Sequence, residues 1–405
     1  MSFLQRLVQR LGLSRESSPA VPPGAALAAT VTVTQPASLG FVPVAVHFNM
    51  FSELVHHSPA TADEVAAACN QARSKNEAQL GRLTGPSRDW AQTDRRIGTR
   101  LAADTLYIMA GLGLVDRVDE DHFAANAITR HMDNMPSAQH GALHFTTEGL
   151  MAGAFLMKKL EDTNFEYPFA DADGPLQYAY RLMGKDDLAQ EHTYSIMEKT
   201  GRMDSFNEFM VGKFLKFGTM PQRVQSLGYD LDAALSGHPD SVAMVDIGGG
   251  RGELLLEVQA AYPHLTPESL VVQEFNAEID NVSGVRLMEW NYKEPGEQPI
   301  KGARVYSLQH IVHNLPDLDA VALLQKISRA MGPESRLLIH EYAKNMTYTS
   351  LHASMIALFG GRERSATEWR QLASVAGLEV TFEAYAKAGE SLVEMRRVDR
   401  DKEVQ

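Results

Sequence analysis

Short β-rich runs in the last third of the chain (SVAMVDIGG, SLVVQEF, ARVYSLQH, SRLLIHEY and LEVTFEAY) alternate with helix-patterned segments such as GELLLEVQAAY, DAVALLQKISRAM and ATEWRQLASVAG. Upstream, helical patterns run into a small hairpin. These two observations predict an α/β protein. A doubly wound parallel sheet is expected over residues 236–405, after a mainly α, winged-helix-like domain over 41–140 and a helical connecting region over 141–235. In such a sheet the ligand lies beyond the carboxyl ends of the strands, so chemistry is expected just after each strand.

Residues 1–40 read as an N-terminal helix and a flexible arm. Phe3, Leu4, Leu7, Val8 and Leu11 share one helical face with Arg6 and Arg10 nearby, a pattern for a short helix packing on a partner subunit rather than a presequence or membrane-surface anchor. SPAVPPGAALAATVTVTQPAS has no charge and little periodicity, and reads as a linker. In SPATADEVAAACN, Thr61 and Glu64 are spaced for a capping box. The next helix ends at Gly111 or Gly113, and LVDRV and HFAAN form a strand pair turning at Asp119–Asp121. Helices followed by a hairpin look like a winged helix, but LAADTLYIMAGLGL is too apolar to face phosphates, so subunit pairing or core packing is expected of it. Methionines and aromatics in FLMKKL, FNEFMVGKFLKF and TMPQRV suit a core that can also wall an adaptable pocket, with Met210 and Phe214 as its candidates.

Composition narrows the partners. A chain of 405 residues suits two domains, and a net charge of −13 argues against nucleic acid, which demands a dominant basic stripe. A small neutral or weakly ionisable ligand fits better. Cys69 is the only cysteine, so no intramolecular disulfide or CxxC cluster can form, and a reducing, cytoplasmic setting is expected. No run reaches the ~18 apolar residues of a membrane span. His140 and His144 in HGALH lack the glutamate of a zinc-hydrolase motif, and no metal is expected.

The first C-terminal strand runs into VDIGGGRGELLL. Gly248, Gly249, Gly250 and Gly252 make a tight turn into a helix where a ligand can approach backbone and helix terminus closely. The pattern from Asp246 to Gly252 is not a dinucleotide fingerprint, because Glu253 stands where Gly or Ala is wanted, and there is no GxxxxGK[ST] loop. The second strand ends at Glu274, an acid placed to bind both hydroxyls of a ribose. A nucleoside cofactor without phosphates, held by one acid and a glycine loop, points to S-adenosylmethionine.

From about Phe41 onward the chain resembles the class I S-adenosylmethionine-dependent O-methyltransferases of plant and fungal secondary metabolism, which pair a helical dimerisation domain with a Rossmann-like catalytic domain. MVDIGGGRGE looks like the family's cofactor loop, VVQEF like its ribose-acid strand, and MEWNYKEPGEQPIKGARVY like the segment with an adenine-contacting pair, here Asn291 and Tyr292. The resemblance implies a homodimer and a small-molecule substrate whose hydroxyl is methylated. In VYSLQHIVHNLPD it implies His313 as the general base, with His310 as packing or pocket wall. Glu341 and Glu363 (in FGGRERSATEW) are its implied orienting carboxylates, and TSLHASMIALF, with Met355, is an implied pocket wall. A base suits the task, since a phenol of pKa ~10 is mostly protonated at neutral pH and a histidine near ~6.5 can take its proton as the C–O bond forms. There are departures: Asn291 and Asn314 stand where the family usually has Asp, Leu315 replaces an aromatic, and Gln309 replaces a cofactor-contacting Lys or Arg. The alternatives are a methyltransferase-fold pericyclase, in which the base position is often Arg or Lys, and a non-enzymatic winged-helix regulator, which the acidic charge disfavours.

Overall fold

A computed structural model describes residues 35–80, 96–214, 218–237, 241–275 and 284–398. The helix expected around residues 3–11 lies outside them. The chain divides into two compact units, Met1–Thr147 and Glu148–Gln405.

In the first unit the helices Val42–His47, Met50–His57, Ala62–Leu80, Thr99–Gly111, Ala127–Asn134 and Pro136–His144 accompany three short strands, β1 (Ala60–Thr61), β2 (Asp116–Arg117) and β3 (His122–Ala124). The strands pair antiparallel in the order β1-β3-β2. The capping box forms as spaced: Glu64 Oε2 accepts the Thr61 N–H at 2.8 Å, and the Glu64 N–H donates to Thr61 Oγ1 at 3.3 Å. Asp119 Oδ1 accepts the N–H groups of Asp121 and His122, each at 2.9 Å, which closes the hairpin turn. Strand β1 is not announced by the sequence, because two residues are too few to show alternation. Phe51, Leu54, Leu106, Met109 and Phe123 build the core. The Thr99–Gly111 helix buries Ala102, Leu106 and Met109 and leaves Leu101 and Tyr107 exposed.

The second unit is built on a seven-stranded sheet of β4 (Met244–Ile247), β5 (Leu270–Glu274), β6 (Arg286–Glu289), β7 (Val305–Gln309), β8 (Arg336–Glu341), β9 (Leu378–Ala384) and β10 (Ser391–Arg397), in the order β6-β5-β4-β7-β8-β10-β9. Strands β4 to β8 are parallel, and the path reverses between β4 and β7, which makes their carboxyl ends the switch point for a ligand. The sheet departs from the all-parallel expectation at one edge, where β9 and β10 run antiparallel to each other and β10 antiparallel to β8. Strands β6 and β10 escape the sequence reading for a physical reason. RLME is an edge strand with no fully buried residue, and charges interrupt the apolar pattern of SLVEMRR.

Each face of the sheet has its own core. Val245, Ile247, Tyr306, Leu308 and Ile339 pack against Leu323, Leu324 and Ile327 of the helix Asp317–Ala330 and Trp369 and Leu372 of the helix Ala366–Val375. Met244, Val272, Val305 and Leu338 pack against Met220 and Val224 of the helix Met220–Ser226 and Leu255 and Val258 of the helix Glu253–Ala261. Full burial of such a side chain is worth about 1.5–3 kcal/mol, enough to fix the strand ends firmly. Among the described residues no single helix is long and apolar enough to cross a membrane.

Candidate active site

After β4 the chain turns through Gly248 (φ 70°), Gly250 (φ 58°) and Gly252 (φ 99°) into the helix Glu253–Ala261. These left-handed positions require glycine. Gly249 is required for a different reason, since a Cβ there would lie 2.3 Å from Asp246 Oδ2 and 2.8 Å from Val272 Cγ2. Asp246 is thus beneath the loop rather than in its mouth. It is fully buried, and burial pushes its carboxyl up to about 7. Glu274 stands beside the loop: its Oε2 accepts the Gly250 N–H at 3.1 Å and its Oε1 accepts the Phe275 N–H at 2.9 Å. Burial raises its pKa, and these two hydrogen bonds pull against the rise. Bare backbone, a helix N-terminus and one carboxylate at adjacent strand ends fit a nucleoside.

The other expected cofactor contacts are placed unevenly. The Asn291 amide is engaged in its own turn, Oδ1 accepting the Lys293 N–H at 3.0 Å and Nδ2 donating to Glu294 Oε1 at 3.2 Å. Tyr292 is half-buried against the sheet core, within electrostatic reach of Tyr194 and Glu274. The Gln309 amide is engaged by a carboxylate, donating to Glu390 Oε1 at 2.9 Å.

His313 lies in the 3-10 turn Val312–Asn314 just beyond β7 and is buried. Its Nδ1 is 2.9 Å from Oε1 of the fully buried Glu363. An ionised carboxylate only accepts, so in the neutral ring it is Nδ1 that carries the proton and Nε2 that keeps a lone pair. Glu341 meets the backbone instead of the ring, Oε1 accepting the His313 N–H at 3.0 Å. Burial, reinforced by the Glu363 charge, pushes Glu341 up to about 7. The folded protein therefore holds this proton over a range in which the unfolded chain, with a glutamate pKa of ~4.3, has lost it, so the contribution to stability falls as pH rises from ~4.3 to 7. Glu341→Gln is expected to remove that slope. Its stability relative to wild type should climb between pH 5 and 7.5 in denaturant melts, and a pH-independent difference would refute the assignment.

The segment Gly360–Arg364 clasps this turn. A Cβ on Gly361 would lie 2.1 Å from the His313 carbonyl oxygen and 2.6 Å from Asn314 C, so only glycine permits the approach. Arg364, fully buried, donates to the carbonyls of Val312 at 2.8 Å and Leu315 at 2.9 Å and pairs with Asp317 at 2.8 Å. Glu363 is left for His313, while Arg362 pairs with Glu368 at 2.5 Å.

His310 belongs to a different carboxylate. At φ 53° it turns its Nε2 to Glu390 Oε1 at 2.8 Å, and Arg223 Nε donates to Glu390 Oε2 at 2.9 Å. Burial works to raise the Glu390 pKa, but the His310 hydrogen bond and the Arg223 charge drive it well below the usual carboxylate range. The two imidazole rings sit 5.2 Å apart. Met355 is buried with Leu176, Ile196 and Phe359, Met210 is half-buried, and the Phe214 side chain lies outside the described residues. Tyr194, bracketed by Phe206 at 5.5 Å and Phe359 at 5.2 Å, accepts a hydrogen bond from Asn314 Nδ2 at 2.9 Å. Arg364, Glu390 and Tyr194 escape the sequence reading. Only the first had a signal, as the arginine that closes the GGRER run. Among the described residues no group of three or more His, Cys, Asp or Glu could hold a metal ion.

Comparison with known proteins bears on the family and the fold. The family model for the O-methyltransferase domain matches residues 233–379. O-methyltransferase bfoE of Aspergillus brasiliensis is 54% identical over 371 residues, covering 91% of this chain and 95% of that protein. Demethylsterigmatocystin 6-O-methyltransferase of Aspergillus flavus is 41% identical over 150 residues, 35% of this chain and 38% of its own length. Among solved structures, LepI in complex with SAM superimposes with a TM-score of 0.68 at 20% identity, covering 98% of this chain and 93% of that one, a likeness of fold.

Proposed function

The chain belongs to the O-methyltransferase family, and from that premise we propose that it methylates a hydroxyl of a small aromatic or polyketide-type metabolite with His313 as general base. The observation that carries the proposal is the buried His313–Glu363 pair at 2.9 Å, at the sheet's switch point. S-adenosylmethionine, the family's cofactor, supplies a methyl group on an electrophilic sulfonium when bound. The glycine loop Gly248–Gly252, the Glu274 carboxylate and the Asn291–Tyr292 segment would hold it. His313 Nε2 accepts the substrate hydroxyl proton, and Glu363 at Nδ1 favours the imidazolium so formed. Glu341 and the Gly360–Arg364 clasp hold the backbone that carries the base. The rings of Tyr194, Phe206 and Phe359, with the partial likeness to a demethylsterigmatocystin 6-O-methyltransferase, support a ring-bearing substrate.

The test is incubation of candidate phenols with methyl-labelled S-adenosylmethionine. Label in the product with stoichiometric release of S-adenosylhomocysteine is expected. Substrate consumed with neither would overturn methyl transfer in favour of a pericyclic or dehydration reaction. The proposal extends to a homodimer, supported by the exposed Leu101, Tyr107 and Ile128 of the first unit. Light scattering on the purified chain should give twice the monomer mass, and a monomer at micromolar concentration would overturn that part.

A further inference from the structure

The hydroxyl proton of Tyr194 has a direction that its neighbours dictate. The Asn314 amide nitrogen has two hydrogens, one donated to the His310 carbonyl at 3.1 Å and the other to Tyr194 Oη at 2.9 Å. A carbonyl can only accept, so it is the amide nitrogen and not the amide oxygen that faces both partners. Tyr194 Oη is therefore the acceptor toward Asn314, and its own proton must point elsewhere. Among the described residues no protein group accepts it. The ring cannot turn away, being packed against His192 at 5.1 Å, Phe359 at 5.2 Å and Phe206 at 5.5 Å. Burial, then the negative charge of Glu274, hold the phenol well above its usual pKa, so the proton stays in place.

The turn that aims this hydroxyl lies against the glycine loop, since the Ile311 side chain would be 2.6 Å from a Cβ on Gly248 and Asn314 follows three residues on. Glu274 and Tyr292 are its electrostatic neighbours, and both belong to the nucleoside side of the site. A ribose hydroxyl is at once donor and acceptor. Glu274, as a carboxylate, can take its protons but give nothing back, while Tyr194 has only a proton to give. We propose that Tyr194 donates a hydrogen bond to a ribose oxygen of the bound nucleoside cofactor, and that Asn314 is the positioning residue that aims it. The inference rests on the reading of Glu274 and the glycine loop as a nucleoside site. It also gives the Asn314 departure a purpose: aspartate at that place can only accept, so it would draw the Tyr194 proton to itself.

Calorimetric binding of S-adenosylhomocysteine and of 5′-methylthioadenosine tests this without turnover. Neither ligand carries the sulfonium charge, so a new carboxylate at 314 exerts little direct pull on them. Tyr194→Phe is expected to weaken both ligands about five- to twentyfold, because a lost hydrogen bond is felt equally by two ligands that share the ribose. Asn314→Asp should weaken them to the same degree, and the double variant no further than either single one. Tyr194→Phe binding within twofold of wild type, or additive losses in the double variant, would overturn the proposal. A loss confined to S-adenosylhomocysteine would overturn the ribose assignment by moving the contact to the amino-acid end. A wild-type chain that binds neither ligand would instead overturn the nucleoside reading beneath it. Thermal melts of each variant separate a local loss from unfolding.

Discussion

Replacement of His313 by alanine is expected to lower turnover by about 10²- to 10⁴-fold, while the affinity for S-adenosylhomocysteine stays within about twofold of wild type. The split follows from placement. His313 follows β7 and is held by Glu363, Glu341 and the Gly361 backbone, none of which belongs to the glycine loop after β4. Removing the imidazole takes away a proton acceptor and leaves the nucleoside contacts standing. Glu363→Gln preserves an acceptor for Nδ1–H but not the charge that favours an imidazolium, so its turnover should fall between wild type and His313→Ala. Steady-state kinetics beside calorimetry would measure both. Near-normal turnover in His313→Ala would mean that holding oxygen and methyl group in line suffices, or that the hydroxyl arrives already ionised.

The sequence speaks clearly where function is written in contiguous residues and poorly where it depends on distant pairings. The run Asp246 to Gly252 announces a turn because four glycines in five positions have a steric reason, and the structure supplies two different ones, left-handed φ at 248, 250 and 252 and crowding against Asp246 at 249. Glu274 and His313 are legible because a doubly wound sheet brings strand ends together. The division of labour between the two carboxylates is not. Glu341 and Glu363 carry the same charge and equal claims in the sequence, yet one meets the His313 backbone and the other its ring across 50 residues of chain. Glu390 is still less visible. It stands just before β10 in AKAGESLVEM, with nothing local to suggest a buried pair with Arg223, 167 residues away, or with Gln309. Tyr194 looks like one aromatic among several until Asn314, 120 residues downstream, is placed against its hydroxyl. In each case the missing information is the packing of helices on the sheet, which periodicity does not encode.

The same packing makes the Gly360–Arg364 clasp the most fragile part of the base. Arg364 is wholly buried and satisfies two main-chain carbonyls, one on either side of His313 and Asn314, while pairing with Asp317. Arg364→Met keeps much of the volume but takes the guanidinium from the Leu315 carbonyl, leaves the Val312 carbonyl only the Leu315 N–H, and leaves Asp317 only the longer Arg362 contact at 3.7 Å. Each hydrogen bond from a charged group to a buried carbonyl is worth about 1.5–3 kcal/mol, and losing both is, for a unit of this size, a fall in Tm of ~6 °C or more. Gly361→Ala attacks the same turn sterically. Its Cβ would meet backbone at His313 and Asn314, which cannot rotate aside as a side chain could, so the turn must shift as a whole. Because that turn carries His313 away from a substrate oxygen, turnover measured well below the Tm should fall by about 10²-fold even in the folded fraction, with S-adenosylhomocysteine binding largely kept. An Arg364→Met chain melting within 2 °C of wild type, on this ~6 °C expectation, would mean that water replaces the guanidinium at both carbonyls. A Gly361→Ala chain of normal turnover would mean that the turn yields without moving the imidazole. Either result would detach that contact from the chemistry and leave Glu363 and Glu341 as the supports of the base.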